Sequence, residues 1–208
     1  MQVHLPSQTC CGAALLGAGN LAAARKQAEK NIAALRVALA GGCEAIVVGS
    51  PSCALSLSRE MVEMLGLDCT DVQEKVVDLF AYLDRLDAAG ELRLRLRPMP
   101  VNAAYHEACH LTALGFGART ARVLANVPEF RVRVLDAGCC GLAGTFGLKK
   151  KTAPIARRIG EDVARRIAEW RPEVVLSECE GCRMQITYLT GVRTKHPIEV
   201  LADALPNP

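Results

Sequence analysis

The chain has 208 residues, a formal net charge of +3 and a composition 50% hydrophobic but only 4% aromatic, enough length for one large or two small domains around an aliphatic core. So mild a charge gives no argument for nucleic acid as a partner, and none is expected; no apolar run reaches the roughly 18 residues of a membrane span. Ten cysteines, behind a start (Met1-Gln2-Val3-His4-Leu5-Pro6) that lacks the basic and apolar regions of a signal peptide, point to a reducing compartment and metal binding rather than disulfides.

In chain order, the first marked feature is Thr9-Cys10-Cys11-Gly12-Ala13, a vicinal cysteine pair followed by glycine. Asn20 is placed to cap a helix over 21–40, which Gly41-Gly42 ends. Ala45-Ile46-Val47-Val48 reads as a short buried strand, followed by the loop Gly49-Ser50-Pro51-Ser52-Cys53. Asp71 with Glu74 three residues on makes a capping-box-like start for a helix to about Ala89, closed by Gly90. Leu92-Arg93-Leu94-Arg95-Leu96-Arg97 alternates with period two and predicts a strand with one basic face, or a linker stopped by Pro98 and Pro100. Then come a strand (101–105), the Cys109 loop, a helix near 118–126, a strand (131–135) and the Cys139-Cys140-Gly141 loop. A helix, a strand (174–177), the Cys179-x-x-Cys182 loop, a helix over 182–190 and a last helix opened by Pro197 and running through Leu205 complete the chain. Alternating strands and helices imply an α/β fold with parallel sheets, whose ligands gather where the strands end.

The chain also repeats itself. Cys139 stands 129 positions after Cys10, and Cys182 stands 129 after Cys53. The same shift carries the helix over 21–40 onto 150–169 and the strand at 45–48 onto 174–177. Two departures stand out. Ser50 occupies the place of Cys179, and the counterpart of Cys109 falls ahead of the first residue. The expected organisation is therefore two pseudo-repeated units with parallel sheets, 1–97 and 98–208, the first degenerate and incomplete at its N-terminus. A partner chain supplies the missing piece, or the chain is a fragment of a longer protein.

A bridge between adjacent cysteines is strained, because neighbouring Cα atoms lie about 3.8 Å apart, below the usual disulfide span. Five thiols in three loops, Cys109, Cys139, Cys140, Cys179 and Cys182, read instead as a soft-metal site. Iron–sulfur ligation leads, with zinc and a redox dithiol as alternatives. The glycines leave room for a bulky cofactor and let backbone N–H groups approach its sulfurs. Lys149, Lys150 and Lys151 either offset the charge of a thiolate-ligated cluster or form a solvated helix start. Cys10, Cys11 and Cys53 make a second, degenerate site, while Cys43 and Cys69 read as small core residues.

His106-Glu107-Ala108-Cys109-His110 fits the zinc-protease pattern H-E-x-x-H, but that chemistry needs both histidines on one face of a continuous helix. Here the segment leaves a strand and runs into Gly115 and Gly117. His106 and His110 read as N–H donors to cluster sulfurs or neighbours of a substrate site, and His196 as a helix-start residue. No residue is assigned a catalytic role. Without a G-x-G-x-x-G after a strand or a P-loop, the chain does not read as a free-standing dehydrogenase.

These motifs together resemble the cysteine-rich CCG-domain family. The resemblance rests on Cys139-Cys140-Gly141-x-Ala143-Gly144-Thr145-x-Gly147-x-Lys149-Lys150, on Cys179-Glu180-x-Cys182-x-x-Gln185-Ile186, and on His196-Pro197-Ile198 before Leu201-Ala202. The family includes the B subunit of heterodisulfide reductase, the lactate-utilisation and glycolate-oxidase iron–sulfur subunits, and the C subunit of anaerobic glycerol-3-phosphate dehydrogenase, whose C-terminal part is most similar. The resemblance implies an electron-carrying subunit that takes electrons from a flavin dehydrogenase partner towards membrane quinone, in the cytoplasm or peripheral on the inner face of the cell membrane. It also implies that five cysteines of one repeat can hold a noncubane [4Fe–4S] cluster, with thiol or disulfide chemistry there as an alternative. A zinc-stabilised interaction module is the rival of another class. The ferredoxin-like Cys-x-x-Cys-x-x-Cys runs of the glycerol-3-phosphate dehydrogenase protein are not in this sequence, which assigns them to a separate chain or a missing segment.

Overall fold

A computed structural model describes residues 2–117 and 119–206, which gather into two compact units, 1–79 and 80–208. In the first unit, helix α1 (Ala13–Gly17) follows the first cysteine pair, and α2 (Leu21–Ala40) begins at Asn20, whose side chain accepts from the Ala23 N–H at 3.2 Å. The apolar residues Ala24, Ala28, Ile32 and Leu35 recur at helical spacing and put one face of α2 into the core. Strand β1 (Ile46–Val48) leads through Ser50 into a continuous helical stretch: α3 (Pro51–Leu55), a π-helical turn (Ser56–Glu60) and α4 (Met61–Glu63). A short α5 (Thr70–Gln73) precedes β2 (Val76–Asp78), which pairs parallel to β1 with Ile46 opposite Val76.

The single helix expected over 71–89 is thus three elements. Two β-branched residues, Val76 and Val77, interrupt the helical run and complete a parallel ladder with β1, a long-range pairing that local patterning does not register.

Helix α6 (Leu79–Ala88) carries the chain onward, and residues 80–97 associate with the second unit, not the first as the sequence boundary at residue 97 has it. Asp84 binds Arg122 through both carboxylate oxygens, at 2.9 and 2.7 Å, the Phe80 ring lies 6.3 Å from His196, and the Arg97 N–H donates to the Ala204 carbonyl at 2.7 Å. The alternating Leu–Arg run over 92–97 forms no strand and stays irregular.

The second unit is built on four parallel strands: β3 (Asn102–Tyr105), β4 (Arg131–Val134), β5 (Val174–Leu176) and β6 (Thr194–Lys195), in the order β4-β3-β5-β6. The strand β6 has no counterpart among the sequence expectations. Between β3 and β4 lie α7 (Cys109–Leu114) and α8 (Arg119–Leu124); the expected helix over 118–126 is this one, and residue 118 lies outside the described residues. A 3-10 turn (Phe146–Leu148) and α9 (Ala153–Trp170) return the chain to β5. Buried Ala156, Gly160, Val163 and Ile167 line one face of α9. Helix α10 (Glu180–Thr190) packs against α9, and α11 (Pro197–Ala204) against α8. The start of α11 is a capping box: His196 accepts from Ile198 N–H at 3.1 Å, and Glu199 accepts from the His196 N–H at 2.7 Å.

The chain leaves β3 towards β4 on one side of the sheet and returns past β3 to β5 on the other. The strand order therefore reverses between β3 and β5, the place where parallel sheets of this kind hold ligands beyond their carboxyl ends. The loops carrying His106 and Cys179 flank that point.

The two units follow one local plan at the 129-residue shift. Gly12 and Gly141 both take a left-handed backbone, φ 87° and 88°. Ser50 and Cys179 both stand extended at a helix start, with ψ of 123° and 119°. Helix α2 answers to α9, and β1 to β5.

Candidate metal centre

Each sequence-predicted thiol of the second unit follows the end of a strand. Cys109 is exposed and opens α7 after β3, and Cys139 and Cys140 lie in the loop after β4, the first exposed and the second buried. Cys179 is the partly buried N-cap of α10 after β5, and Cys182 is buried in the first turn of that helix.

Two of the five meet a histidine. The ligand atoms of His106, Cys140 and Cys182 all lie within 4.8 Å of one another, and all three residues are buried. Among the described residues, neither ring nitrogen of His106 finds a hydrogen-bond partner of good geometry, although the residue is 1% exposed. A buried imidazole without such a partner is costly unless something binds it. Its company is the two sulfurs.

The thiols form one electrostatic group. The hydrogen bond from Cys182 lowers the Cys140 thiol to about 4, against the cost of burial, and His106 and the Leu142 N–H add to the effect. Cys179 is likewise lowered to about 6, first by Cys182 and then by the backbone N–H groups of Cys182 and Gly181. Cys182 is pushed up by its hydrogen bonds to Cys140 and Cys179 and by burial, so it is the proton holder of the three. Cys109 is raised by burial and then by the charges of Cys139, Cys140 and Cys179. The Gly141 N–H donates to the Cys139 sulfur at 3.3 Å. Thiolates stabilised by backbone N–H donors and by a thiol are nucleophiles and soft-metal ligands at neutral pH.

Sequence makes this arrangement possible at two glycines. A Cβ on Gly141 would lie 2.0 Å from the Ala156 carbonyl oxygen, and one on Gly160 would lie 2.5 Å from that of Cys140. The paired-cysteine loop therefore lies directly on α9, an approach only glycine permits.

Beside the thiols is a polar network that the sequence reading does not contain. Glu178 is 1% exposed, and both carboxylate oxygens accept from the Tyr105 hydroxyl at 3.0 Å, one of them also from Thr120. Its signal was available: a carboxylate two residues after an apolar strand. The H-E-x-x-H match has no helical basis, since His106 precedes α7 while His110 lies within it. Lys149, Lys150 and Lys151 are exposed in the turn before α9.

In the first unit, the Cys53 and Cys11 sulfurs lie 3.0 Å apart, and Cys10 is exposed. Buried Asn31 of α2 holds this loop: its side chain accepts from the Thr9 N–H at 2.7 Å and donates to the Cys10 carbonyl at 3.1 Å. Cys69 is packed in the apolar core of the unit, and Cys43 is partly buried after α2.

The cysteine-rich (CCG) domain family matches residues 1–58 and 103–187. The chain is 35% identical over 201 residues to the C subunit of anaerobic glycerol-3-phosphate dehydrogenase of Escherichia coli strain K12, covering 97% of this chain and 50% of that protein. It is 26% identical over 190 residues to the B subunit of fumarate reductase (CoM/CoB) of Methanothermobacter marburgensis, covering 89% and 35%. With the glycolate oxidase iron-sulfur subunit of Escherichia coli strain K12 it shares 27% identity over 210 residues, covering 94% and 48%. The chain thus spans half the length of these relatives or less.

Proposed function

The chain belongs to the cysteine-rich domain family, and from that premise we propose that it is an iron–sulfur electron-transfer subunit whose cluster is held beyond the carboxyl ends of β3, β4 and β5. The observation that carries this is the meeting of His106, Cys140 and Cys182 within 4.8 Å in a buried site, with Cys179 hydrogen-bonded to Cys182. The donor set fits: low-pKa thiolates and backbone N–H groups suit the irons and sulfurs of a cluster. Cys140, Cys179 and Cys182 are its proposed ligands, with Cys109 and Cys139 closing the set from the other two loops. A bound cluster supplies one-electron storage. With a cluster bound, His106 would donate a ring N–H towards it, while Tyr105 and Thr120 hold Glu178 by hydrogen bonds.

The relatives named as components of a glycerol-3-phosphate dehydrogenase and a glycolate oxidase support a flavin dehydrogenase as the electron donor, with quinone as the distant acceptor. No helix among the described residues is long and apolar enough to cross a membrane. In this reading contact with quinone runs through another chain or segment, the ferredoxin-like part included, and the protein acts in the cytoplasm or on the inner face of the membrane. The His–Cys–Cys set also suits zinc, which favours an interaction module as second reading.

Anaerobic purification separates the two. The expected product is brown and holds iron with acid-labile sulfide; Cys140→Ser loses most of that iron, because a hard hydroxyl replaces a soft thiolate, while Cys43→Ser keeps it. Colourless protein holding zinc overturns the cluster.

A further inference from the structure

The first unit keeps the conformation of a cluster loop and differs where a ligand would stand. Ser50 occupies the extended helix-start position that Cys179 occupies in the second unit. What remains is a close pair, with the Cys11 and Cys53 sulfurs 3.0 Å apart. Both are partly buried, whereas Cys10 is exposed.

The pair is held in place from both sides. Buried Asn31 ties down residues 9 and 10 through the Thr9 N–H and the Cys10 carbonyl, and the buried Ser56 hydroxyl donates to the Cys11 carbonyl at 3.4 Å. Cys53 sits in α3, whose helical course runs on through the π-helical turn to α4. Neither sulfur has to travel far to reach the other.

We propose that Cys11 and Cys53 form a two-electron thiol–disulfide couple, a redox site of the first unit that needs no metal. The co-reactant is a low-molecular-weight disulfide, R–S–S–R. One protein thiolate attacks it, forming a mixed disulfide and releasing one R–S⁻. The second protein thiol then attacks the protein-side sulfur of that bond, closing Cys11–Cys53 and releasing the second R–S⁻. The two thiol protons pass to the two released thiolates. The protein loses two electrons and two protons, and the small disulfide becomes two thiols. The same steps in reverse reduce the site. The hydrogen bond with Cys53 and then burial push the Cys11 thiol up.

The test uses the whole chain under anaerobic conditions, equilibrated across glutathione redox buffers, acid-quenched, alkylated and mapped by peptide mass spectrometry. The expected result is one cooperative transition from two alkylated residues, Cys11 and Cys53, to a linked peptide pair two hydrogens lighter. Cys10→Ser retains the transition. Cys53→Ser abolishes it, leaving Cys11 alkylated or glutathionylated singly, and leaves iron per chain unchanged. Independent alkylation of Cys11 and Cys53 across the whole series overturns the proposal. So does a bridge formed by Cys10, or a fall of about half in bound metal in Cys53→Ser. Iron content in the same samples reports the second unit, so the two proposals fail separately.

Discussion

The two vicinal-cysteine loops share a backbone and differ in what lies beneath them. Gly12 and Gly141 have nearly the same φ, 87° and 88°. Under the second loop, α9 offers Gly160, and the Cys140 carbonyl comes so close that a Cβ there would lie 2.5 Å from it. The position of Gly160 corresponds, 129 residues earlier, to Asn31, whose amide grips Thr9 and Cys10. The second loop is pressed onto its helix, and its buried thiol lies with His106 and Cys182; the first lies in ordinary contact with α2 and is tied to it by Asn31. One turn geometry therefore serves two different seats, with Gly160 close under one and Asn31 hydrogen-bonded to the other.

The sharpest way to break this contrast is Gly141→Ala. The added methyl meets the Ala156 carbonyl oxygen at 2.0 Å in a left-handed backbone, so overpacking and strain add. The expected cost is about 3 kcal/mol or more by denaturant titration, with loss of bound iron; a variant that unfolds like the parent refutes the close-packed loop.

Titration distinguishes the two units next. In metal-free protein, Cys179, lowered to about 6 chiefly by Cys182, becomes a thiolate as the pH rises through that value. Its alkylation rate then levels off above it and falls about tenfold per pH unit below it. The Cys11 thiol, raised by its bond to Cys53, keeps its proton, and its rate still climbs well above neutral pH. Equal midpoints for the two residues, read by residue-resolved alkylation, would remove the electrostatic difference.

The smallest effect is the counterpart change, Gly12→Ala. The backbone is equally left-handed, but the added methyl meets only ordinary contacts, the nearest at 3.5 Å. A cost of about 1 kcal/mol is expected, from backbone strain alone. A cost equal to that of Gly141→Ala would show the two loops seated alike.

Much of the plan is legible in the sequence. Asn20 and Gly41 bound α2 because capping is local, and Cys109, the Cys139-Cys140 pair and Cys179 stand after strands because apolar runs and turn residues mark strand ends. The 129-residue shift is arithmetic on the letters alone, and the glycine after each pair announces the left-handed turn found at both places. Other features depend on residues far apart in the chain. Strand β2 exists because Val76 and Val77 find β1, thirty positions earlier in register, and no local preference reports such a partner. His106 meets Cys140 and Cys182 only because β4, β3 and β5 lie side by side, which brings three separate loops to one edge. Glu178 is tolerable in the interior only because Tyr105 and Thr120 arrive from elsewhere to donate to it. Sequence by itself named the thiols and their turns; tertiary structure decided which of them are buried together, because convergence follows from which strands lie side by side.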